Sequence, residues 1–362
     1  MDSMARRIRV YRSYDWVISA KPPSYLHESA GFRFGFLRYL PCMSRKFVDP
    51  REEVGRLWKS SSRCRVVISM LLHAPAKINL FLELRGKMPS GFHELETVMS
   101  TISWFDTLSF QKNKTESIEL KVRMVSGGRK SSVPQDDVPH GPDNLVYKAI
   151  EALRQEAGVQ QGLSVKLLKR IPAQAGLGGG SSDAATALVG ANELWGLGYS
   201  KQRLAQIAGR LGSDIPFFIY GGFARCTGRG EVIEPLRVYT NLSVVVVKPP
   251  VGLPTAEVFR NCSIPEQPET GQGLIEAIRH SDSRAIAGTM FNRLAEPASR
   301  LTPWIDKLCS EFERTGCLGA LMSGSGSSCF GVYPNARVAR EAASHLGTNM
   351  GLCVTVAHTL AG

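Results

Sequence analysis

Hydrophobic and polar residues follow regular patterns from Met70 to the end of the chain. Early segments alternate in part, as strands with one buried face do, and residues 76–84, AKINLFLEL, are the clearest example. Asp106 lies between two of these segments and is interpreted as a turn residue. The early strands are predicted at residues 76–84, 95–102, 107–111 and 118–124.

Residues 125–141 are polar and rich in glycine, proline and serine, which predicts a loop. Pro142, Asp143 and Asn144 then begin a helix that runs to about Gly158. Further helices are predicted at residues 181–195, 201–211, 255–261, 272–287, 299–314 and 335–347. The later strands are predicted at residues 163–171, near 222–227 and 242–248, and at 318–322 and 352–357, with one more strand between the last two.

Strands and helices therefore alternate in pieces, which is typical of an α+β fold. A chain of 362 residues is long enough for two domains. Three prolines within residues 249–254 mark the predicted boundary. We expect one domain at residues 70–248 and a second at residues 249–362.

Residues 1–69 show no sustained hydrophobic period of about 2 residues, as in strands, or about 3.6 residues, as in helices. They are interpreted as an extension outside the core. In one interpretation Met70 is the true start, because the strand-rich pattern begins there. In a second, the segment is a plastid-type transit peptide, since it is rich in arginine and serine. Its ten aromatic residues and its acidic cluster near Asp49 and Glu52 speak against targeting. A genuine additional element is the third possibility.

Composition excludes several classes of protein. No run of 18 apolar residues exists, so no membrane span is predicted. The eight cysteines are scattered and never spaced C-x-x-C, which favours reduced thiols over disulfides or zinc. The net charge is +12, but residues 1–69 carry +8 of it. A nucleic-acid partner is therefore not expected, and the predicted location is the bacterial cytoplasm, or a plastid if the extension is a transit peptide.

The segment PAQAGLGGGSSDAA, residues 172–185, joins a predicted strand to a predicted helix. Its glycines allow positive φ and close approach of a ligand to the backbone. Backbone N–H groups and the positive end of the helix dipole meet at such a turn, which suits a polyphosphate. The segment is not a Walker A loop, because no Gly-Lys-Ser/Thr follows the glycines. A flexible linker is the alternative, but linkers do not usually join a patterned strand to a patterned helix.

Two charged residues lie in apolar surroundings. Lys77 is within a predicted strand, and Asp214 is followed by Ile215, Pro216 and Phe217, where the proline is expected to stop a helix. Each is either a paired structural ion or a functional group, because buried charges need a partner. A kinase needs a phosphate cradle, a cation and a group that orients the attacking hydroxyl. The glycine turn, Lys77 and Asp214 would supply these three parts.

Three segments, APAKINL at 74–80, PAQAGLGGGSSDAA at 172–185 and SGSGSSCF at 323–330, resemble the three motifs of the GHMP small-molecule kinases. Further segments narrow the resemblance to the 4-diphosphocytidyl-2-C-methyl-D-erythritol kinase family, from Met70 to the end of the chain. They are GKMPSGFHELETV at 86–98, LGSDIPFF at 211–218 and PTAEVF at 254–259. The resemblance implies two domains, an N-terminal nucleotide-binding domain and a C-terminal α+β sandwich, with the active site in the cleft between them.

The resemblance also implies residue roles. Lys77 and Asp214 match the catalytic pair. The ATP-binding residues would be Pro172, Ala173, Gln174, Ala175, Gly176, Leu177, Gly178, Gly179, Gly180, Ser181 and Ser182, with Asn144 and Lys169. The substrate-binding residues would be Asn79, Phe92, His93, Phe259, Gly324, Ser325 and Gly326. Phe92 and Phe259 match an aromatic pair that stacks on cytosine, although the family usually has tyrosine at the position of Phe92.

The implied reaction is ATP-dependent phosphorylation of the 2-hydroxyl of a cytidine diphosphate-linked polyol, a step of the non-mevalonate isoprenoid route. ATP is the expected co-substrate, with Mg²⁺ bound through the nucleotide and no metal site in the chain itself. The expected oligomeric state is a monomer or a homodimer. Two alternatives stay open: another GHMP kinase, of the homoserine or mevalonate type, or a non-catalytic nucleotide- or RNA-binding protein on the same fold.

Overall fold

The computed structural model describes residues 69–125, 138–350 and 352–362. The interpretations of the segment before Ser69, and most of the predicted loop at 125–141, lie outside these ranges. The described chain forms two sheets with helices packed against them, which is the predicted α+β class.

The first sheet is built on two long antiparallel strands that run almost their full length side by side. Its seven strands are β1 (Ser69–Lys87), β2 (His93–Lys112), β3 (Ile118–Met124), β4 (Leu163–Lys169), β5 (Phe223–Thr227), β6 (Val232–Leu236) and β8 (Phe291–Asn292). The order is β3-β4-β2-β1-β8, and β5 pairs with both β2 and β6. Residues 74–84 of β1 are all buried, so this strand is the centre on which the site is built.

The second sheet is antiparallel throughout, in the order β11-β7-β10-β9. Its strands are β7 (Ser243–Lys248), β9 (Gly319–Met322), β10 (Cys329–Tyr333) and β11 (Cys353–His358). Strand β7 belongs to this sheet, so the chain passes from one sheet to the other between residues 237 and 242. The domain boundary at 248/249 therefore stays a prediction, with β7 on the side of the C-terminal sheet.

Capping residues mark the beginning and the end of the first α-helix. The helix after the 3₁₀ turn Gly141–Asp143 has Asn144 as its N-cap, accepting from Val146 N at 2.8 Å, and Gly158 ends it at φ 64°. The described α-helices are α1 (Leu145–Ala157), α2 (Gly179–Trp195), α3 (Lys201–Gly209), α4 (Ile215–Tyr220), α5 (Thr255–Arg260), α6 (Gln272–Arg279), α7 (Ser283–Thr289), α8 (Ala295–Leu301), α9 (Trp304–Glu313) and α10 (Ala336–Met350).

Several expectations were wrong. Asp106 is not a turn residue: it is fully buried inside the continuous strand β2, where its carboxylate accepts hydrogen bonds from the start of the glycine turn. Pro216 does not stop a helix but begins α4, since proline is tolerated in the first turn. The helix predicted at 272–287 is two helices, because Asp282 caps a new one through Arg284 N and Ala285 N.

The helix predicted at 299–314 is also divided, with Pro303 at the N-cap of α9. Strands β6 and β8 were not predicted; β8 is two residues long and owes its form to parallel pairing with β1. Within the described ranges, no helix has the length and apolar character to cross a bilayer.

Candidate active site

The glycine turn between β4 and α2 places backbone N–H groups at a helix N-terminus. Gly176 and Gly178 have φ values of 73° and 67°, which only glycine adopts without strain. A Cβ at Gly178 would lie 2.8 Å from Phe218 Cζ and 3.1 Å from Lys77 Cγ. Gly180 differs, because only Leu145 Cδ1, at 3.7 Å, lies near its Cβ position. The turn is therefore packed from behind at Gly178 and open at Gly180.

The second glycine turn, at 323–326, packs directly against the first. Ser323 Oγ donates to Gly176 O at 2.9 Å, and Asn79 N donates to Ser323 Oγ at 3.3 Å. A Cβ on Gly176 would lie 2.0 Å from Ser323 O, and one on Gly324 would lie 3.1 Å from Lys77 Nζ. Asn292 Nδ2 holds this turn in place by donating to Met322 O and Gly324 O at 2.8 Å each.

Lys77 lies between the two turns on β1. Its backbone N–H donates to Leu177 O at 3.0 Å, which ties the strand to the first turn. Its side chain is 4% exposed, and its ammonium donates to Asn79 Oδ1. Burial lowers the pKa of Lys77, while the charge of Asp214 opposes that shift. An ammonium has three donors, so Lys77 retains donors for a ligand.

Asp214 is the N-cap residue of α4, but its side chain does not cap that helix. The carboxylate is only partly buried and lies 3.9 Å, measured from Oδ1, from the Cβ position of Gly230. Asp214 raises the pKa of Lys77 electrostatically, although no ion pair within 4.0 Å joins the two residues. The carboxylate and the ammonium therefore interact electrostatically but do not form an ion pair.

A single cleft of about 1140 Å³ contains most of the predicted site residues. It holds the predicted catalytic pair, both glycine turns and the predicted base-binding side chains. The predicted residues that line it are Lys77, Asn79, Phe92, His93, Pro172, Ala173, Gln174, Ala175, Gly176, Gly178, Gly179, Gly180, Ser181, Asp214, Phe259, Gly324, Ser325 and Gly326.

One part of the cleft lining, which we call the base end, carries aromatic rings and cations. The ring centroids of His93 and Phe259 are 5.4 Å apart and tilted by 37°. Phe92 is 55% exposed, with the guanidinium carbon of Arg229 5.2 Å from its ring centroid. Burial and the charge of Lys87 lower the pKa of His93, so its imidazole is neutral at pH 7 and has one donor and one acceptor nitrogen.

Four predicted residues do not line the cleft. Leu177 is fully buried in the core, and Ser182 is fully buried in α2. Asn144 caps α1 and also donates to Pro139 O at 2.8 Å. Lys169 is 3% exposed and donates to Asp106 and Asp183. All four side chains are buried in this structure. Their direct contact with ATP stays a prediction.

Sequence reasoning missed three basic residues that line the cleft, Lys87, Arg229 and Arg260. Arg229 was the one with a detectable signal, since it lies between Gly228 and Gly230, both of which have positive φ. Two flanking glycines in a strand-to-strand turn indicate that the backbone there is specially shaped. Lys87 lies within the segment 86–98, and Arg260 directly follows the segment 254–259, so both are beside residues already assigned to the substrate.

Among the residues that the structure describes, no three His, Cys, Asp or Glu side chains are grouped as a metal site. The partly buried Asp214 therefore faces the cleft without further carboxylates.

The fold and the cleft define a GHMP-type kinase, and sequence comparison agrees. Residues 144–222 match the GHMP kinases N terminal domain, and residues 274–351 match the GHMP kinases C terminal domain. A homoserine kinase structure from Cytophaga hutchinsonii shares the fold at 19% identity, with a TM-score of 0.62 over 83% of this chain and 97% of that one.

Nearer relatives narrow the family. A 4-diphosphocytidyl-2-C-methyl-D-erythritol kinase from Pelotomaculum thermopropionicum is 41% identical over 75% of this chain and 91% of its own length. The kinase of the same name from a Geobacillus strain is 38% identical over 73% and 88%. A crystal structure of a 4-(cytidine 5'-diphospho)-2C-methyl-D-erythritol kinase matches 81% of this chain and all of that one, with 33% identity and a TM-score of 0.67. The chain belongs to the 4-diphosphocytidyl-2-C-methyl-D-erythritol kinase family of GHMP kinases.

Proposed function

We propose that this protein is an ATP-dependent kinase that phosphorylates the 2-hydroxyl of 4-diphosphocytidyl-2-C-methyl-D-erythritol, a step of the non-mevalonate route to isopentenyl diphosphate. The observation that carries the proposal is that one cleft holds the glycine turn, the Lys77–Asp214 pair and a ring-lined end with His93. The relatives of the same name, which the chain matches over most of their length, support this substrate.

The glycine turn would bind the ATP phosphates. Its N–H groups and the N-terminus of α2 provide donors and a partial positive charge. Gly180 and Ser181 line the cleft, and only Leu145 Cδ1 lies near the Cβ position of Gly180. ATP is the co-substrate that membership of the GHMP kinases implies.

Lys77 and Asp214 would act on the transfer itself. The substrate oxygen attacks the γ-phosphorus, the bond from that phosphorus to the β–γ bridging oxygen breaks, and ADP leaves. Asp214 orients the hydroxyl and accepts its proton, while the Lys77 ammonium offsets negative charge on the phosphoryl oxygens. Asn79 holds the Lys77 ammonium in position, since it accepts one of its hydrogen bonds.

The base end of the cleft would bind the cytidine. Phe259 and Phe92 offer ring faces, and stacking on a base contributes about 1–3 kcal/mol. A neutral His93 can donate to one atom of the cytosine edge and accept from another. Lys87, Arg229 and Arg260 give this end a positive charge that suits a diphosphate.

Mg²⁺ would be bound mainly by the nucleotide, because the described part of the chain offers no ligand cluster of its own. When bound, the ion neutralises charge on the β- and γ-phosphates. The chain's contribution remains the positioning of the phosphates, the hydroxyl and the base.

The experiment is a panel of acceptors assayed for ADP release. We expect turnover with 4-diphosphocytidyl-2-C-methyl-D-erythritol and none with mevalonate or homoserine, which have no base to stack. Turnover of mevalonate or homoserine alone would overturn the proposal. RNA retained on a filter at low and high salt, with no kinase activity on any acceptor, would favour the non-catalytic alternative instead.

A further inference from the structure

A group of three buried titratable side chains lies directly behind the phosphate-binding turn. Lys169 on β4 donates to Asp106 on β2 and, at 2.8 Å, to Asp183 on α2. All three side chains are at most 4% exposed. We call Asp106, Lys169 and Asp183 the buried triad.

The triad touches the turn itself. A Cβ on Gly179, the first residue of α2, would lie 3.1 Å from Lys169 Nζ. Asp106 Oδ1 accepts from the backbone N–H groups of Arg170 and Ile171, the residues that lead into the turn. The triad therefore fixes both ends of the glycine turn, its entry from β4 and its exit into α2.

The two carboxyl groups are not equivalent. Asp106 accepts from Lys169 and two backbone N–H groups, so an ionised carboxylate there is well satisfied. Asp183 Oδ2 accepts from Lys169, but its buried Oδ1 has no hydrogen-bond partner in the protein. One cation thus faces two buried carboxyl groups, and an unpaired buried charge is costly.

We propose that the buried triad positions the ATP-phosphate turn as a neutral unit, in which Lys169 and Asp106 are ionised and Asp183 carries a proton. The charged groups that face Asp183 are Lys169 from β4 and Asp106 from β2. A proton on Asp183 keeps a second negative charge away from the helix N-terminus that must receive phosphate. The proposal rests on the function proposed above, since it assigns the turn to ATP.

The direction of titration agrees with this assignment. Burial raises the pKa of Asp183 well above its usual range, and the Asp106 carboxylate raises it further, while Lys169 opposes both. Because the folded-state pKa is raised, the neutral form loses its stabilising advantage as pH rises from the ordinary aspartate pKa of 3.8 towards the folded value.

The test is the substitution Asp183→Asn, which imitates a neutral carboxylic acid. Compared with the natural chain, we expect its Tm at neutral pH to be higher by about 2 °C or more, with the difference shrinking as the pH is lowered towards 5. Asp106→Asn is expected to lower Tm, because an amide N–H would face the Lys169 ammonium. Glu193→Gln, an exposed carboxylate-to-amide change on the same helix, is the matched control and should leave Tm unchanged.

ATP affinity provides the second readout, measured by calorimetry without the acceptor substrate. We expect Asp183→Asn to change the Kd for ATP less than about threefold and Asp106→Asn to raise it about tenfold. If Asp106→Asn does not fold, the Asp183→Asn results alone decide. An Asp183→Asn variant with a lower Tm and a higher Kd for ATP than the natural chain would overturn the proposal. That result would show that Asp183 is ionised in the natural chain. A failure of the acceptor panel with ATP binding intact would count against the proposed function only.

Discussion

The two ends of the cleft are built differently. At the transfer end, Lys77 is 4% exposed and is surrounded by two glycine turns that leave no room for a Cβ at Gly176 or Gly178. At the base end, Phe92 is 55% exposed, and the Arg229 guanidinium lies over its ring. The transfer end is fixed by packing before any ligand binds, whereas the base end is open. Substitutions should therefore affect the chemical step at the first end and substrate affinity at the second.

The largest expected effect is at Asp214. In the proposed mechanism, Asp214→Asn removes the group that orients the hydroxyl and accepts its proton, and general-base groups contribute about 10²- to 10⁴-fold. We expect kcat to fall by about that factor while the Kd for ATP, measured by calorimetry, changes little. Unchanged turnover would remove Asp214 from the mechanism. It would also contradict the assignment of the chemical step to the transfer end.

The second effect is on the packing of the glycine turn. A Cβ on Gly176 would meet Ser323 O at 2.0 Å in a backbone conformation with φ 73°, so Gly176→Ala should destabilise the fold by about 1–3 kcal/mol. Gly180→Ala is the matched control on the same turn, since its Cβ meets only Leu145 Cδ1 at 3.7 Å. Chemical denaturation measures both. Equal losses of stability in the two variants would mean that packing of Ser323 against Gly176 does not fix the turn.

Phe259→Ala tests the open end. Loss of one stacking face should cost about 1–3 kcal/mol, which corresponds to a KM for the cytidylylated substrate that is roughly 5- to 150-fold higher. The KM for ATP should be almost unchanged, because Phe259 is not among the residues predicted to bind ATP. A parallel rise in both KM values would argue against separate ends.

The smallest effect concerns the protonation of His93. Because burial and Lys87 lower its pKa, His93 should be neutral at pH 7 and should gain a proton only below the usual histidine pKa of 6.5. Protonation removes the acceptor nitrogen, so the KM for the cytidylylated substrate should rise a few-fold towards about pH 5. His93→Asn keeps a donor and an acceptor without titrating and should flatten this dependence. An identical slope in both proteins would exclude His93 as the cause.

Sequence and structure agree best where the signal is local. Three short segments contain the glycine turn, Lys77 and Asp214, and the residue types in each segment predict a functional role. The structure brings these features into one cleft. The fold class and the kinase family were predicted correctly from the same segments.

The misses depend on contacts between distant parts of the chain. Asp106 has the composition of a turn residue, but it is 63 residues from Lys169, the partner that makes its burial favourable. Strand β8 exists only because β1 lies beside it. Such pairings arise from tertiary packing, which overrides local propensity.

The most direct test of convergence at the transfer end is a structure with a non-hydrolysable ATP analogue and the cytidylylated substrate both bound. We expect an Asp214 carboxylate oxygen within about 2.6–3.2 Å of the substrate's 2-hydroxyl oxygen, with the Lys77 ammonium against the terminal phosphate. A complex in which that phosphate or that hydroxyl lies away from Lys77 and Asp214 would contradict the account.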